Sequence, residues 1–255
     1  MQARLLPAAR GPGWLAAGLR LYRGSPLLLT SLTLGYLLLV LAINLIPVIG
    51  PFLLPFALPL LAVMTANGCR SLERNQGLLP STLASGLREN RIALLRLGGL
   101  HLLATLAILA ISLAFNDAHT VLTTANSGKA NKADDAAVLW AMLRLLALAM
   151  PVLLAFWFAP LLTAWNGVSA LKSVFFSCVA SLRNWRAFAC YGLTVILIGI
   201  ILPGLVLVVA SLISKSLVEV LSIALRMALM FVLAPVLMAS VYLSYCDVFG
   251  GDERS

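Results

Sequence analysis

Two charged side chains stand where hydrocarbon should be. Arg226 lies inside an apolar run from about Leu217 to Tyr245, with Glu219 two helical turns earlier, and Arg144 lies near the start of another run, about Ala136–Trp165. A cation at membrane depth costs roughly 2.5–3.5 kcal/mol or more, so it faces a partner, an anion or a wet cavity. Arg144 is near the outer end of its run and can snorkel to the interface. Arg226 lies deeper and is the better candidate for an anion or headgroup site, with Glu219 as its nearest acid. A structural ion pair or a snorkelled side chain is the plainer reading of all three.

The second chemical feature is a row of prolines. Pro47, Pro51, Pro55 and Pro59 are spaced by four, which puts them on nearly one helix face. A proline inside a helix has no N–H, so the carbonyl four residues earlier loses its donor. In lipid that carbonyl must find water, a neighbouring side chain or a ligand. The functional reading is a polar groove along this face. The plainer one is a kinked packing helix, with Pro47 and Pro51 forming the turn before it. Pro55, Pro59, Pro160 and Pro235 are the expected kinks. Asn44, Asn67, Asn166 and His101 read as interhelical hydrogen-bonding groups.

No catalytic constellation accompanies these residues. The sequence has no HExxH, GxSxG or P-loop, and no pair of carboxylates at membrane depth. Cys69, Cys178, Cys190 and Cys246 form no CxxC pair, and His101 and His119 are not spaced to complete a zinc site. The thiols read as small buried groups. The expectation is a protein that is not an enzyme and carries no cofactor or metal.

The elements that must hold these residues follow from composition. Of 255 residues, 62% are hydrophobic and only 11% charged, whereas a soluble domain is roughly 45–50% apolar and about 25% charged. Crossing a hydrocarbon core about 30 Å thick takes roughly 20 helical residues. Six runs meet that length: Leu27–Ile46, about Pro51–Cys69, Ile92–Phe115, about Ala136–Trp165 with Pro151 inside it, Ala187–Ile213, and about Leu217–Tyr245. Helix is the state such runs demand, because an open strand edge in lipid leaves backbone groups unpaired. The fold class is therefore all-α, a polytopic membrane protein forming one membrane domain over 1–255. Residues 116–135, rich in Asn, Thr, Lys and Asp, read as a polar non-cytoplasmic loop. The basic N-terminus lacks a small-residue cleavage site after its apolar run, so the first span is expected to remain in place.

Net charge is +9, and its distribution sets the topology. Twelve basic residues fall on one side of the spans and three, Lys129, Lys132 and Lys215, on the other. The positive-inside rule makes the richer side cytoplasmic, with both termini there. This placement beside the spans explains the charge better than nucleic acid does, and no groove-reading motif is present.

Three strings share the pattern small-Leu-Arg-x-x-Arg: Gly18-Leu19-Arg20-Leu21-Tyr22-Arg23, Gly86-Leu87-Arg88-Glu89-Asn90-Arg91 and Ser181-Leu182-Arg183-Asn184-Trp185-Arg186. Each precedes an odd-numbered span and ends a segment of helical periodicity, weakest over Ser81–Asn90. Such segments are expected in the membrane interface, with the apolar face in the acyl region and arginines at headgroup level. The even spans share a proline amid apolar residues, in Ala57-Leu58-Pro59, Phe158-Ala159-Pro160 and Leu233-Ala234-Pro235. The chain thus reads as three copies of an interfacial helix plus a hairpin, about 1–78, 79–167 and 168–255. Arg20, Arg23, Arg88, Arg91, Arg183 and Arg186 are the candidate lipid-headgroup site. Anchoring of topology is the alternative.

The string Phe156-Trp157-Phe158-Ala159-Pro160-Leu161-Leu162, with Ser169, Ser181-Leu182-Arg183-Asn184-Trp185 and the close Tyr245-Cys246-Asp247-Val248-Phe249-Gly250, resembles an uncharacterised family of six-span bacterial inner-membrane proteins. So do the start Met1-Gln2-Ala3-Arg4 and Gly13-Trp14. More distantly the pattern looks like the membrane domain attached to some glycerophosphodiester phosphodiesterases, without the phosphodiesterase domain or its activity. The resemblance implies an inner-membrane location and this architecture. The expected role is a non-enzymatic module that binds anionic phospholipid or assembles with membrane-protein partners or a second copy. The alternative is a small permease for an anionic or amphipathic solute.

Overall fold

The computed structural model describes residues 3–115 and 132–250, and every regular element among them is helical. Six helices are long and apolar enough to cross a membrane: Pro26–Asn44, Gly50–Glu73, Arg91–Ala114, Val138–Asn166, Trp185–Ser211 and Lys215–Phe249. They are called spans one to six below. Each overlaps one of the runs expected from hydropathy. Most of the expected polar loop, 116–131, lies outside the described residues. Its last four positions begin the helix Lys132–Trp157.

Prolines stand near the points where the helices depart from regular α geometry, though not uniformly. Gly50–Glu73 continues through both Pro55 and Pro59. Span four is divided at Phe158, between Lys132–Trp157 and Ala159–Asn166, with Pro160 in the first turn of the second piece. Spans five and six each contain one π-helical turn, Leu197–Ile201 and Leu229–Leu233, ending two residues before Pro203 and Pro235. A widened turn accommodates a residue that cannot donate to the ladder. Pro235 deprives the Phe231 carbonyl of its helical donor, and that oxygen accepts from Thr30 Oγ1 of span one at 3.3 Å.

The core sits at one end of the spans. Half (50%) of the most apolar stretch of span two is buried, against 6% of that of span five. The large buried side chains Trp14, Leu72, Phe158, Leu162, Tyr242 and Tyr245 all lie toward the arginine-rich ends. Their rings interlock edge to face, Phe158 on Phe188 at 5.8 Å and on Phe249 at 5.3 Å, and Trp165 on Tyr245 at 5.1 Å. At the other end, Lys215–Ala228 has no buried residue.

Two helices outside the spans complete the packed end. Arg10–Gly24 buries Gly11, Trp14, Leu15 and Gly18. A Cβ on Gly11 would stand 2.1 Å from the Ala187 carbonyl oxygen, and one on Gly18 2.6 Å from that of Val236. The expectation placed this apolar face in the acyl region; it is spent on spans five and six instead, because small residues let the backbones meet. Ala170–Arg183 keeps the two-faced pattern expected of it. It turns Leu171, Phe175, Val179 and Leu182 outward and buries Ser173, Ser177, Ala180 and Ser181. Between spans two and three, where a weaker helix was expected, only the single turn Pro80–Leu83 forms. Gly86 at φ +75° lies outside helical backbone space and breaks the segment.

Candidate functional site

All six repeat arginines, Arg20, Arg23, Arg88, Arg91, Arg183 and Arg186, have exposed side chains. Consecutive spans alternate in direction, so the starts of spans one, three and five share one end of the molecule. Arg186 stacks over the Trp185 ring at 5.6 Å, and Trp185 is itself exposed. A cation lying on an indole at the head of a span suits the headgroup layer, where both groups find their preferred surroundings. Arg96, one turn deeper on span three, and Lys172 are exposed at the same end.

Beneath this basic surface the polar groups are paired. Asn67 in span two donates to the carbonyls of Leu83 and Ser85, both at 2.9 Å, and accepts from Trp165 Nε1 at 2.8 Å. Arg70 lies over the same indole at 5.3 Å. Asn166 accepts from Tyr245 Oη and Glu73 from Tyr242 Oη, each at 2.5 Å. Asn67 and Asn166 are thus interhelical. Asn44 instead donates to Val40 in its own helix at 2.9 Å.

The chain ends are clasped to the same layer. Asn184 accepts from the Leu6 N–H at 2.8 Å and donates to the Arg4 carbonyl at 3.0 Å. Asp247 receives Arg10 Nε at 2.8 Å, a second guanidinium nitrogen of Arg10, and Trp14 Nε1 at 2.9 Å. Donating to the Asp247 carboxylate holds the Arg10 guanidinium above its ordinary pKa, against some loss from burial.

The three intramembrane charges are not brought together into a site. Arg226 and Glu219 share the exposed face of Lys215–Ala228, and among the described residues neither side chain has an ion pair or hydrogen bond. Arg144 is exposed on span four. None of the three borders the larger cleft.

That cleft, of about 410 Å³, opens between spans one to four and is lined mainly by apolar side chains. Its volume falls within the roughly 300–1,000 Å³ of small-molecule sites. Tyr36 of span one, Pro59 of span two, His101 and Thr105 of span three, and Trp157 and Pro160 of span four border it. The proline row therefore touches the cleft at Pro59. Pro59 denies a donor to the Pro55 carbonyl, and the His101 imidazole stands beside that carbonyl. Nδ1 of the ring is enclosed and has no hydrogen-bond partner among the described residues. A smaller cleft of about 260 Å³ lies across Tyr36, between spans one and two and Leu78 and Leu83.

Several of these residues escaped the sequence. Arg96 is absorbed in an apolar run, and Tyr36 looks like one more membrane aromatic. The clasp at Asp247 joins residues over two hundred positions apart. The serines of Ala170–Arg183 did carry a signal: Ser173, Ser177 and Ser181 are spaced by four, on the face opposite the apolar stripe.

The chain is 33% identical over 262 residues to a probable inner membrane protein of Burkholderia thailandensis, covering 99% of this chain and 96% of the relative. No family model matches the chain, and no solved structure matches it significantly. This likeness runs nearly end to end, and the chain, with its six membrane-capable helices, is a multi-pass member of that family of probable inner membrane proteins.

Proposed function

We propose that this protein is a non-enzymatic membrane module whose arginine-bearing end binds anionic phospholipid. The observation that carries the reading is the exposure of all six repeat arginines above a packed, internally paired polar layer. Groups that served only to hold the fold would be spent on partners within it, as Asn67, Asn166 and Asp247 are. Each free arginine near an anionic surface contributes about 1 kcal/mol of attraction. The outward Leu171, Phe175, Val179 and Leu182 stripe, with Lys172 and Arg183 beside it, is the amphipathic pattern that settles into a headgroup boundary.

In this reading the arginine-rich end and both termini are cytoplasmic, following the positive-inside bias. The three strings and three proline returns form a threefold series of units. Consistent with that, each leading segment meets the return span of another unit: Gly18 meets Val236 of span six, Leu83 is held by Asn67 of span two, and Ser177 bonds to Leu154 and Phe158 of span four. Partner membrane proteins or a second copy are compatible with the role. Purification in native lipid, with copurifying lipids identified by mass spectrometry, tests it. Enrichment of anionic over zwitterionic phospholipid is expected, and a lipid shell with the composition of the bulk membrane would contradict it.

The second reading is a small permease for an anionic or amphipathic solute. The cleft beside Pro59 and His101 is what favours it. Arg226, the cation that would have selected an anion, does not line that cleft.

A further inference from the structure

Tyr36 and His101 bring a phenol and an imidazole to the wall of an otherwise largely apolar cleft. Each stands ten residues into its span, from Pro26 and Arg91 respectively, or about 15 Å along a helix. That is mid-depth in a hydrocarbon core about 30 Å thick. The Tyr36 hydroxyl has no hydrogen-bond partner among the described residues. His101 has an enclosed, unpartnered Nδ1 and lies against a carbonyl that Pro59 has stripped of its donor. Polar groups in hydrocarbon are normally paired, and unpaired ones call for an explanation.

We propose that this cleft binds a single-chain lipid ending in a hydroxyl group, the chain lying along the apolar wall and the hydroxyl on Tyr36 and, once the imidazole turns its enclosed Nδ1 toward the cleft, on His101. A hydroxyl both donates and accepts. It therefore satisfies a neutral imidazole in either tautomer and a phenol in either role, which a keto oxygen or an ammonium does not. The apolar wall, from Leu58 and Ala62 on span two to Ala149 and Leu153 on span four, takes a chain with no further polar demand. This site is separate from the arginine layer and does not depend on it.

The test is photolabelling of the full chain, in nanodiscs of phosphatidylcholine, with a hexadecanol carrying a diazirine in its chain. Labelled peptides are expected from the cleft faces of spans two to four. Unlabelled hexadecanol should compete, and hexadecane should not. His101→Phe and Tyr36→Phe should each lower labelling about five- to tenfold, the worth of one hydrogen bond. Ala149→Phe, which fills the cleft while leaving both polar groups, should abolish labelling and covers the case in which His101→Phe fails to fold. A variant with Arg20, Arg23, Arg88, Arg91, Arg183 and Arg186 all changed to Gln should label normally, which separates this site from the arginine layer. Labelling spread equally over outward residues of span five such as Leu193 and Ile200, competition by hexadecane as strong as by hexadecanol, or labelling that survives Ala149→Phe would each overturn the proposal.

Discussion

Ser177 occupies the place of a missing helical hydrogen bond at Phe158. Its Oγ accepts from the Phe158 N–H at 3.0 Å and donates to the Leu154 carbonyl at 2.9 Å. In an unbroken helix those two backbone groups would bond to each other. The ladder is open two residues before Pro160, and a hydroxyl from Ala170–Arg183 is inserted as a bridge. Ser181 adds a second donor to the Leu154 oxygen at 3.2 Å. The break is thereby closed to lipid, and a surface helix is fixed to span four.

Ser177→Ala should therefore cost more than Ser181→Ala. The first change strands a buried donor and weakens the cover on its acceptor, at about 1–3 kcal/mol, whereas the second leaves Leu154 with its Ser177 bond. Melting temperatures of the two variants in one detergent check this, and equal shifts would contradict it.

Asp247→Ala should destabilise more than Arg10→Ala. Arg10 is more than half exposed (54%) against 16% for Asp247, and exposed ion pairs contribute only about 0–1 kcal/mol. Asp247 also holds Trp14 Nε1, and its loss leaves that partly buried N–H unpaired. Limited proteolysis before residue 10 should accelerate in Asp247→Ala and change little in Arg10→Ala.

Gly98→Val should separate spans two and three, since a Cβ at Gly98 would stand 2.7 Å from the Phe56 Cα. Overpacking of this kind costs about 1–3 kcal/mol. Gly192→Ala is the control: nothing lies within 4 Å of its added Cβ, and alanine is the better helix former. Comparable melting losses in the two variants would argue against the close span contact.

Reporter fusions check the proposed orientation. Green fluorescent protein at the C-terminus should fluoresce, and alkaline phosphatase there should be inactive. Alkaline phosphatase inserted within 116–131 should be active. The opposite pattern would reverse the topology.

The spans were legible in the sequence because lipid imposes a local rule: about twenty apolar residues, all helical. That rule says nothing of which spans touch. Leu27 and Leu29 read alike, yet Leu29 is fully buried and Leu27 faces outward. Proline spacing names the carbonyls that lose a helical donor, but not that Thr30 meets Phe231 or that His101 stands by Pro55. Those pairings depend on how the hairpins pack. Arginine spacing marked the basic layer by type and position; Arg96 was hidden because a single charge in a long apolar run does not interrupt it. The cleft was not legible at all, since its walls come from four spans.

The central claim is that the arginine layer recognises anionic phospholipid. The direct measurement is native mass spectrometry of the purified protein titrated with phosphatidylglycerol and, in parallel, phosphatidylcholine. It compares the wild type with a variant in which Arg20, Arg23, Arg88, Arg91, Arg183 and Arg186 are all glutamine. The wild type should retain phosphatidylglycerol selectively, and the variant should lose at least tenfold in its apparent affinity while binding phosphatidylcholine as before. Equal retention of phosphatidylglycerol by both proteins would contradict the claim.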